Sequence, residues 1–297
     1  MKQALVILVV IHFSESLRAQ GTIKQNGQFA QVRGHYRQIA GLDPKPASAK
    51  DVIDALKFPY DPVVGERRRS IKPVYLSEAD TGKFRIPPVP SNSSTQTKAD
   101  LAYLYALQQK RTSEEARTSL YMAKVYYNLR VTQTDSSYAR YRKNLFHIGR
   151  SIGTWFNPDA LPITAELMAS VWRDASYFIW SFKFKYARVR PYVLDPRLKN
   201  LENTDWAAYP SGHAANSYVN AYIYAELAPE FTDVFLKDAY EMAHSREIIG
   251  VHFPTDSEAS RIFAWQFVKM LFANERFLQD FANARQEWTI KAKEKLE

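Results

Sequence analysis

The chain has 297 residues, room for one substantial core plus extensions, and its 46% hydrophobic and 14% aromatic content excludes a disordered polymer. A net charge of +9 brings a nucleic-acid or membrane-surface partner into question, but Lys and Arg are spread along the chain. Arg67-Arg68-Arg69, the only run of three, reads as a solvated loop. The absence of cysteine excludes disulfides and a lipid-modified cysteine.

Residues 1–19 read as a secretory signal peptide: Lys2 is a short positive region, Ala4 to Phe13 an apolar stretch, and Ala19 a small residue before the cut. The apolar stretch is too short to span a bilayer, which takes about 20 residues. Export without disulfides fits a bacterial periplasm, so a secreted, periplasmic protein is expected. Residues 20–96 form an N-terminal extension of irregular structure, broken by Pro59, Pro62, Pro73, Pro87, Pro88 and Pro90. Within it, Ser48 to Lys57 predicts a short capped helix, and Ser91 to Thr95 a polar linker. No chemistry is assigned to this extension.

From residue 97 the pattern is helical. Thr97-x-x-Asp100 starts a helix with an apolar face of Leu101, Leu104, Tyr105 and Leu107, and Thr112-x-x-Glu115 is a capping box opening a run through Leu129. Tyr138 to Trp155, Ile163 to Phe182, Ala214 to Leu227, Thr232 to Gly250 and Asp256 to Phe272 follow, and a charged helix runs to Lys295. The spacing predicts an all-α domain over residues 97–297, a bundle of about seven or eight helices. No later apolar run reaches the 18 residues of a candidate membrane span.

Three stretches within that domain carry charge and nucleophiles in a pattern. Ser245 to Asp256 offers Arg246 one helical turn before Gly250, then His252 in a connection, then Asp256. The Thr255-x-x-Glu258 spacing of a capping box places Asp256 in the first turn of the next helix. Tyr209-Pro210-Ser211-Gly212-His213 runs into an apolar helix, which puts Ser211 at or next to the N-cap and unpaired N–H groups at an end suited to anions. Lys183 and Arg190, the latter stopped by Pro191, supply two more cations. Three cations, an anion-binding helix end, two histidines and a carboxylate are what a phosphoryl group needs for neutralisation, attack and leaving-group protonation.

These residues resemble the three-part signature of the phosphatidic-acid-phosphatase type 2 superfamily: Lys183-x6-Arg190-Pro191, Pro210-Ser211-Gly212-His213 and Ser245-Arg246-x5-His252-x3-Asp256. The superfamily includes the bacterial class A non-specific acid phosphatases and the vanadium haloperoxidases, and it implies their helical bundle. In that light His252 is the expected nucleophile, forming a phosphohistidine, and Asp256 fixes its tautomer. His213 is the general acid and then the base. Lys183, Arg190, Arg246, Ser211 and the Gly212 N–H bind the phosphoryl oxygens, with Ser245 in support.

The expected activity is metal-independent hydrolysis of small-molecule phosphomonoesters, with phosphotransfer as a side reaction. No cofactor or metal is expected, nor a nucleic-acid partner or stable membrane insertion, and vanadate should act as a phosphate mimic. A vanadium-dependent haloperoxidase and a non-catalytic phosphate-binding protein on the same scaffold are the alternatives. A homo-oligomer, with the extension helping a dimer form, is left open. Glu241-x-x-His244 has the spacing of a di-iron ligand pair without a second copy, so His244 reads as structural. Tyr186, Tyr192, Trp206 and Tyr209 flank the motifs and are either pocket or core.

Overall fold

The computed structural model describes residues 36–48 and 52–294; the signal-like residues 1–19 lie outside the described residues. Every regular element among the described residues is helical. In chain order they are α1 (Tyr36–Ile39), α2 (Pro62–Arg69), α3 (Thr95–Lys110), α4 (Ser113–Met122), α5 (Tyr138–Asn144), α6 (Pro162–Tyr186), α7 (Pro191–Leu194), α8 (Gly212–Leu227), α9 (Thr232–Ile248), α10 (Pro254–Leu271) and α11 (Glu275–Glu294). Short 3-10 turns lie at Val52–Ala55, Glu78–Lys83 and Pro229–Phe231.

The bundle is built around α8. Every residue from Ala214 to Leu227 is buried, as a helix without a polar face must be. Ala214, Ala215, Ala221 and Ala225 keep that helix narrow, and α9 and α10 pack along it while α6 and α11 close the remaining sides. The chain ends these helices by local means. Ala187 takes the left-handed conformation at φ 47° to stop α6, and Gly250, at φ 77°, stops α9. Pro162, Pro191 and Pro254 open α6, α7 and α10, where a missing N–H costs nothing.

Three expected helices are shorter than their apolar patterns. The run after Thr112 ends at Met122, not Leu129. Beyond it Asn128, Thr132 and Asp135 turn the backbone on their own side chains, Asp135 accepting from both the N–H and the hydroxyl of Thr132 at 2.7 Å. The run from Tyr138 stops at Asn144 instead of Trp155. Gly149 at φ 96° and Gly153 at φ 152° leave the helical region there. Of Ser48 to Lys57, the described part holds a single 3-10 turn at Val52–Ala55. Asp54 within it turns outward to accept from Ser93 N and Oγ, at 2.9 and 2.6 Å.

The irregular extension is fastened to the bundle. Buried Asp174 on α6 accepts from the backbone N–H groups of Val74, Tyr75 and Leu76, the last two at 2.9 and 2.8 Å. Phe84 inserts its ring among Phe178, Phe182 and Phe263, with centroids 5.0, 5.8 and 5.0 Å away. The arginine run is not a loop but the last turn of α2, which lies against α6 so closely that a Cβ on Gly65 would meet Phe184 at 3.2 Å. Asp174→Ala orphans three N–H donors at once, and an unfolding loss of about 3 kcal/mol is expected by urea denaturation. Proteolysis within residues 70–90 should accelerate in the same variant, because the strap loses its anchor.

Candidate active site

A cleft of about 490 Å³ opens on one end of the bundle, and Lys183, Arg190, Gly212, His213, Arg246 and His252 all line it. Each arrives there for a local reason. Lys183 sits one turn before the left-handed stop of α6, and Arg190 follows that stop at the N-cap of α7. Arg246 lies in the last turn of α9, and the turn at Gly250 carries the chain directly to His252, with Val251 N and His252 N both bonded to Arg246 O at 3.1 and 3.3 Å. Gly212 and His213 open α8.

The histidine at the centre has a fixed tautomer. Arg190 Nη1 lies 3.0 Å from His252 Nε2, and since a guanidinium only donates, Nε2 carries a lone pair. The proton is therefore on Nδ1, which lies 3.1 Å from Asp256 Oδ2. Asp256 itself does not face the cleft. Its Oδ2 also accepts from Phe253 N at 3.0 Å and caps α10, while Oδ1 takes Arg188 Nη1 at 2.6 Å. The expected Thr255–Glu258 capping box does not form. Pro254 begins α10 two residues earlier than that box requires, so Asp256 becomes the reciprocal carboxylate and Glu258 turns to Arg261 at 2.5 Å.

The cations are buried and largely oriented by carbonyls. Lys183 Nζ donates to Ala207 O at 2.7 Å. Arg190 donates to Trp206 O, Val251 O and Thr204 Oγ1 at 2.7, 2.7 and 2.9 Å. Arg246 gives Nη2 to Glu202, while its Nε and Nη1 are buried without a partner. Unspent guanidinium donors beside other cations are costly unless an anion takes them.

The electrostatics agree. Burial, reinforced by Arg190 and Arg246, pushes Lys183 well below the usual lysine range. Burial lowers Arg190 to about 10. Burial and Arg190 push His252 well below 6.5 against the pull of Asp256. Burial and Arg246 do the same to His213, whose Nε2 lies 3.1 Å from Ala123 O.

Other expected site residues take supporting places. Ser211 is fully buried as the N-cap of α8, its hydroxyl accepting from Ala214 N at 3.4 Å, and it does not line the cleft. Ser245 donates to Met242 O at 2.7 Å. A Cβ on Gly212 would meet only Ile179 Cγ2, at 3.9 Å, so no protein neighbour demands glycine there. Among the flanking aromatics only Trp206 lines the cleft. Tyr186 and Tyr209 pack edge to face, centroids 5.2 Å apart, and Tyr192 joins a small core around Leu198 and Phe253. His244 bonds Glu247 at 2.9 Å and stacks on Tyr240. Among the described residues no group of three or more His, Asp or Glu is placed to hold a metal ion.

Sequence reasoning missed the layer behind His252. Arg188, only 2% exposed, joins Asp256 to Thr255 Oγ1 at 2.8 Å and lies 3.7 Å from Asp100 Oδ2. Its guanidinium covers the Phe253 ring at 3.8 Å. One guanidinium serves two carboxylates, and they split. Burial raises Asp256, but Arg188 and His252 outweigh it and hold the group at about 2. Asp100, farther from the charge, is pushed up by burial to about 7. Arg188 stood between Lys183 and Arg190 with no spacing to mark it, and Asp100 read only as a helix-start residue.

Comparison with known proteins agrees with the motifs. The PAP2 superfamily model matches residues 166–278. A non-specific acid phosphatase of Providencia stuartii is 35% identical over 113 residues, covering 36% of this chain and 46% of that protein. One of Salmonella typhi is 30% identical over 144 residues, covering 46% and 57%. The chain thus matches about half the length of these curated relatives. Among solved structures, a bacterial vanadium-dependent iodoperoxidase superposes with a TM-score of 0.52 at 18% identity, over 80% of this chain and 62% of that one. A holo-type bacterial vanadium-dependent chloroperoxidase gives 0.52 at 13%, over 73% and 55%. These structures share the all-helical fold.

The split between the two carboxylates has a measurable sign. Asp256 ionises below its ordinary 3.8, so its contribution to stability is complete above that pH and is lost as pH falls toward 2. Asp100 is protonated in the fold up to about 7, so its contribution is lost as pH rises from 3.8 to that value. At pH about 5, Asp100→Asn should stay within about 1 kcal/mol of the parent, whereas Asp256→Asn, stranding Arg188, should lose about 3 kcal/mol. Urea midpoints at that pH check both, and equal losses would contradict the assignment.

Proposed function

We propose, with the PAP2 superfamily match over residues 166–278 as premise, that this chain is an exported acid phosphatase. On this reading it hydrolyses phosphate monoesters without a metal, through a phosphohistidine. The observation that carries the reading is the Nε2 lone pair of His252, held by Arg190 at 3.0 Å and backed by Asp256 at 3.1 Å, at a cleft lined by three buried cations. The names of the curated relatives support the phosphatase chemistry. Export rests on residues 1–19 alone.

In the proposed reaction the phosphoryl dianion sits among Lys183, Arg190 and Arg246 and takes the free Nε and Nη1 donors of Arg246. Arg190 Nη1 turns to a phosphoryl oxygen, and the Nε2 lone pair of His252 so released attacks phosphorus as the ester oxygen departs. The imidazolium that forms is stabilised through its Nδ1–H by ionised Asp256. His213 gives its proton to the leaving oxygen; with the Ala123 carbonyl taking Nε2–H, that proton is carried on Nδ1. After exchange of the alcohol for water, His213 removes a proton from the water, the P–N bond breaks, and phosphate leaves. An alcohol in place of water would give phosphotransfer.

Burial, joined by the same cations that bind the dianion, holds His213 neutral in the free site. Binding two negative charges offsets that field, so the histidine acquires its proton with the substrate. The rate profile is therefore bell-shaped, with an acid limb from protonation of His252 and a basic limb from loss of the His213 proton. The basic limb of kcat should lie at higher pH than that of kcat/KM, since the first reports the bound complex and the second the free enzyme.

The deciding assay is hydrolysis of p-nitrophenyl phosphate from pH about 4 to 8 with EDTA present, with and without vanadate. Turnover that survives EDTA, stops with vanadate and disappears in His252→Ala is expected. Activity in His252→Ala, or a requirement for added divalent metal, would overturn the mechanism. An inactive parent chain would direct the next assay to vanadate, bromide and peroxide.

A further inference from the structure

The proposed phosphoryl chemistry leaves the Arg67-Arg68-Arg69 run unused, yet Arg68 lines the same cleft. Its guanidinium carbon lies 4.8 Å from the Trp180 ring centroid and 4.6 Å from that of Trp206. The two rings meet edge to face at 4.7 Å. Together they form an aromatic notch that fixes a cation. Because Arg68 occupies both rings, the notch is not a platform for stacking a base.

Arg130 lines the cleft as well and is held by a hydrogen bond of 2.8 Å to Arg67 O. Both side chains are exposed, and among the described residues neither Arg68 nor Arg130 has a carboxylate partner. Partial burial, followed by the charges of Arg130 and Arg67, depresses Arg68. The bond from Arg130 to the Arg67 carbonyl holds the second arginine beside the residue that precedes Arg68.

The notch shares its framework with the phosphoryl site. Trp180 lies one turn before Lys183 on α6, and Trp206 O accepts from Arg190 Nε at 2.7 Å. The next carbonyl, of Ala207, accepts from Lys183 at 2.7 Å. Lys183, Arg190, Arg246, Arg68 and Arg130 face the cleft against Glu202 and Asp205. With His213 protonated in the complex, a phosphoryl dianion and those two carboxylates leave two positive charges without an opposite.

The geometry points to a second anion subsite at Arg68 and Arg130, and to a substrate class of phosphate monoesters whose leaving group bears its own carboxylate or second phosphoryl group. This rests on the phosphoryl reading of the first site. Arg68, preset by the two tryptophans, offers a planar fork for bidentate contact with either anion. Arg130 adds charge on the same side.

Equilibrium binding tests this without turnover. Calorimetry on the full chain would compare phenylphosphonate with para-carboxyphenylphosphonate and para-phenylenebisphosphonate at low ionic strength. The doubly anionic ligands should bind about tenfold more tightly than phenylphosphonate. That ratio should fall toward one in Arg68→Met, survive in part in Arg68→Lys, and shrink in about 0.5 M salt. Arg130→Gln, changing an exposed side chain, carries the same comparison if loss of Arg68 unfolds α2.

The two doubly anionic ligands separate a carboxylate from a phosphoryl preference. Equal affinity for all three ligands in the parent, or a ratio unchanged in Arg68→Met and Arg130→Gln, overturns the second subsite alone. Failure of phenylphosphonate itself to bind overturns the phosphoryl reading and the subsite with it.

Discussion

The carboxylate of Asp256 is the point on which the rest of the site depends. It caps α10 through Phe253 N, takes the Nδ1–H of His252 and neutralises Arg188 within a few ångströms. A helix start, a histidine tautomer and a buried cation are thus set by one group. Such a group is useful only if it stays ionised while fully buried. Arg188 is what keeps it so, at the expense of Asp100, which takes up a proton as the more distant partner. The fold places a charge pair behind the histidine, where it orients the ring without lining the cleft.

In front of the histidine the logic is reversed. Lys183, Arg190 and Arg246 are buried close together with their charges opposed by little more than Glu202 and the remote Asp256. Backbone carbonyls satisfy many of their protons, which fixes direction without cancelling charge. Burial and mutual repulsion lower lysine, arginine and histidine alike, and only a bound anion relieves all of them together. Cations clustered in this way carry an electrostatic cost, and the tightly packed α8 and α6 keep them from moving apart.

Much of this was legible in the sequence because it is local. The Lys183–Arg190 pair, the helix start at Ser211 and the Arg246–Gly250–His252 turn each follow from spacing within a dozen residues. The helical domain was equally visible in its apolar period. What escaped were features set by long-range packing. Arg188 carries the same side chain as Arg190 two positions away, yet it packs behind His252 on Asp256 while Arg190 meets the ring in front, at Nε2. Asp100, Asp174 and Glu202 look like surface acids until the fold brings distant N–H groups and guanidinia to them. The overlong expectations after Thr112 and Tyr138 failed for a different reason: apolar periodicity continues through segments whose Asn, Asp and Gly residues close turns on themselves.

The proline-broken extension shows how a segment without chemistry of its own can shape a site. Asp174 grips residues 74–76 on the same helix that carries Trp180 and Lys183 further along. Pro62 and Gly65 let α2 lie flat on Phe184, and that contact delivers Arg68 to the two tryptophans. Trp206, the second ring, belongs to the connection whose carbonyls aim Arg190 and Lys183. The strap, the aromatic notch and the cleft cations are therefore one mechanical unit mounted on α6. A change that loosens the extension reaches the cleft wall through Arg68.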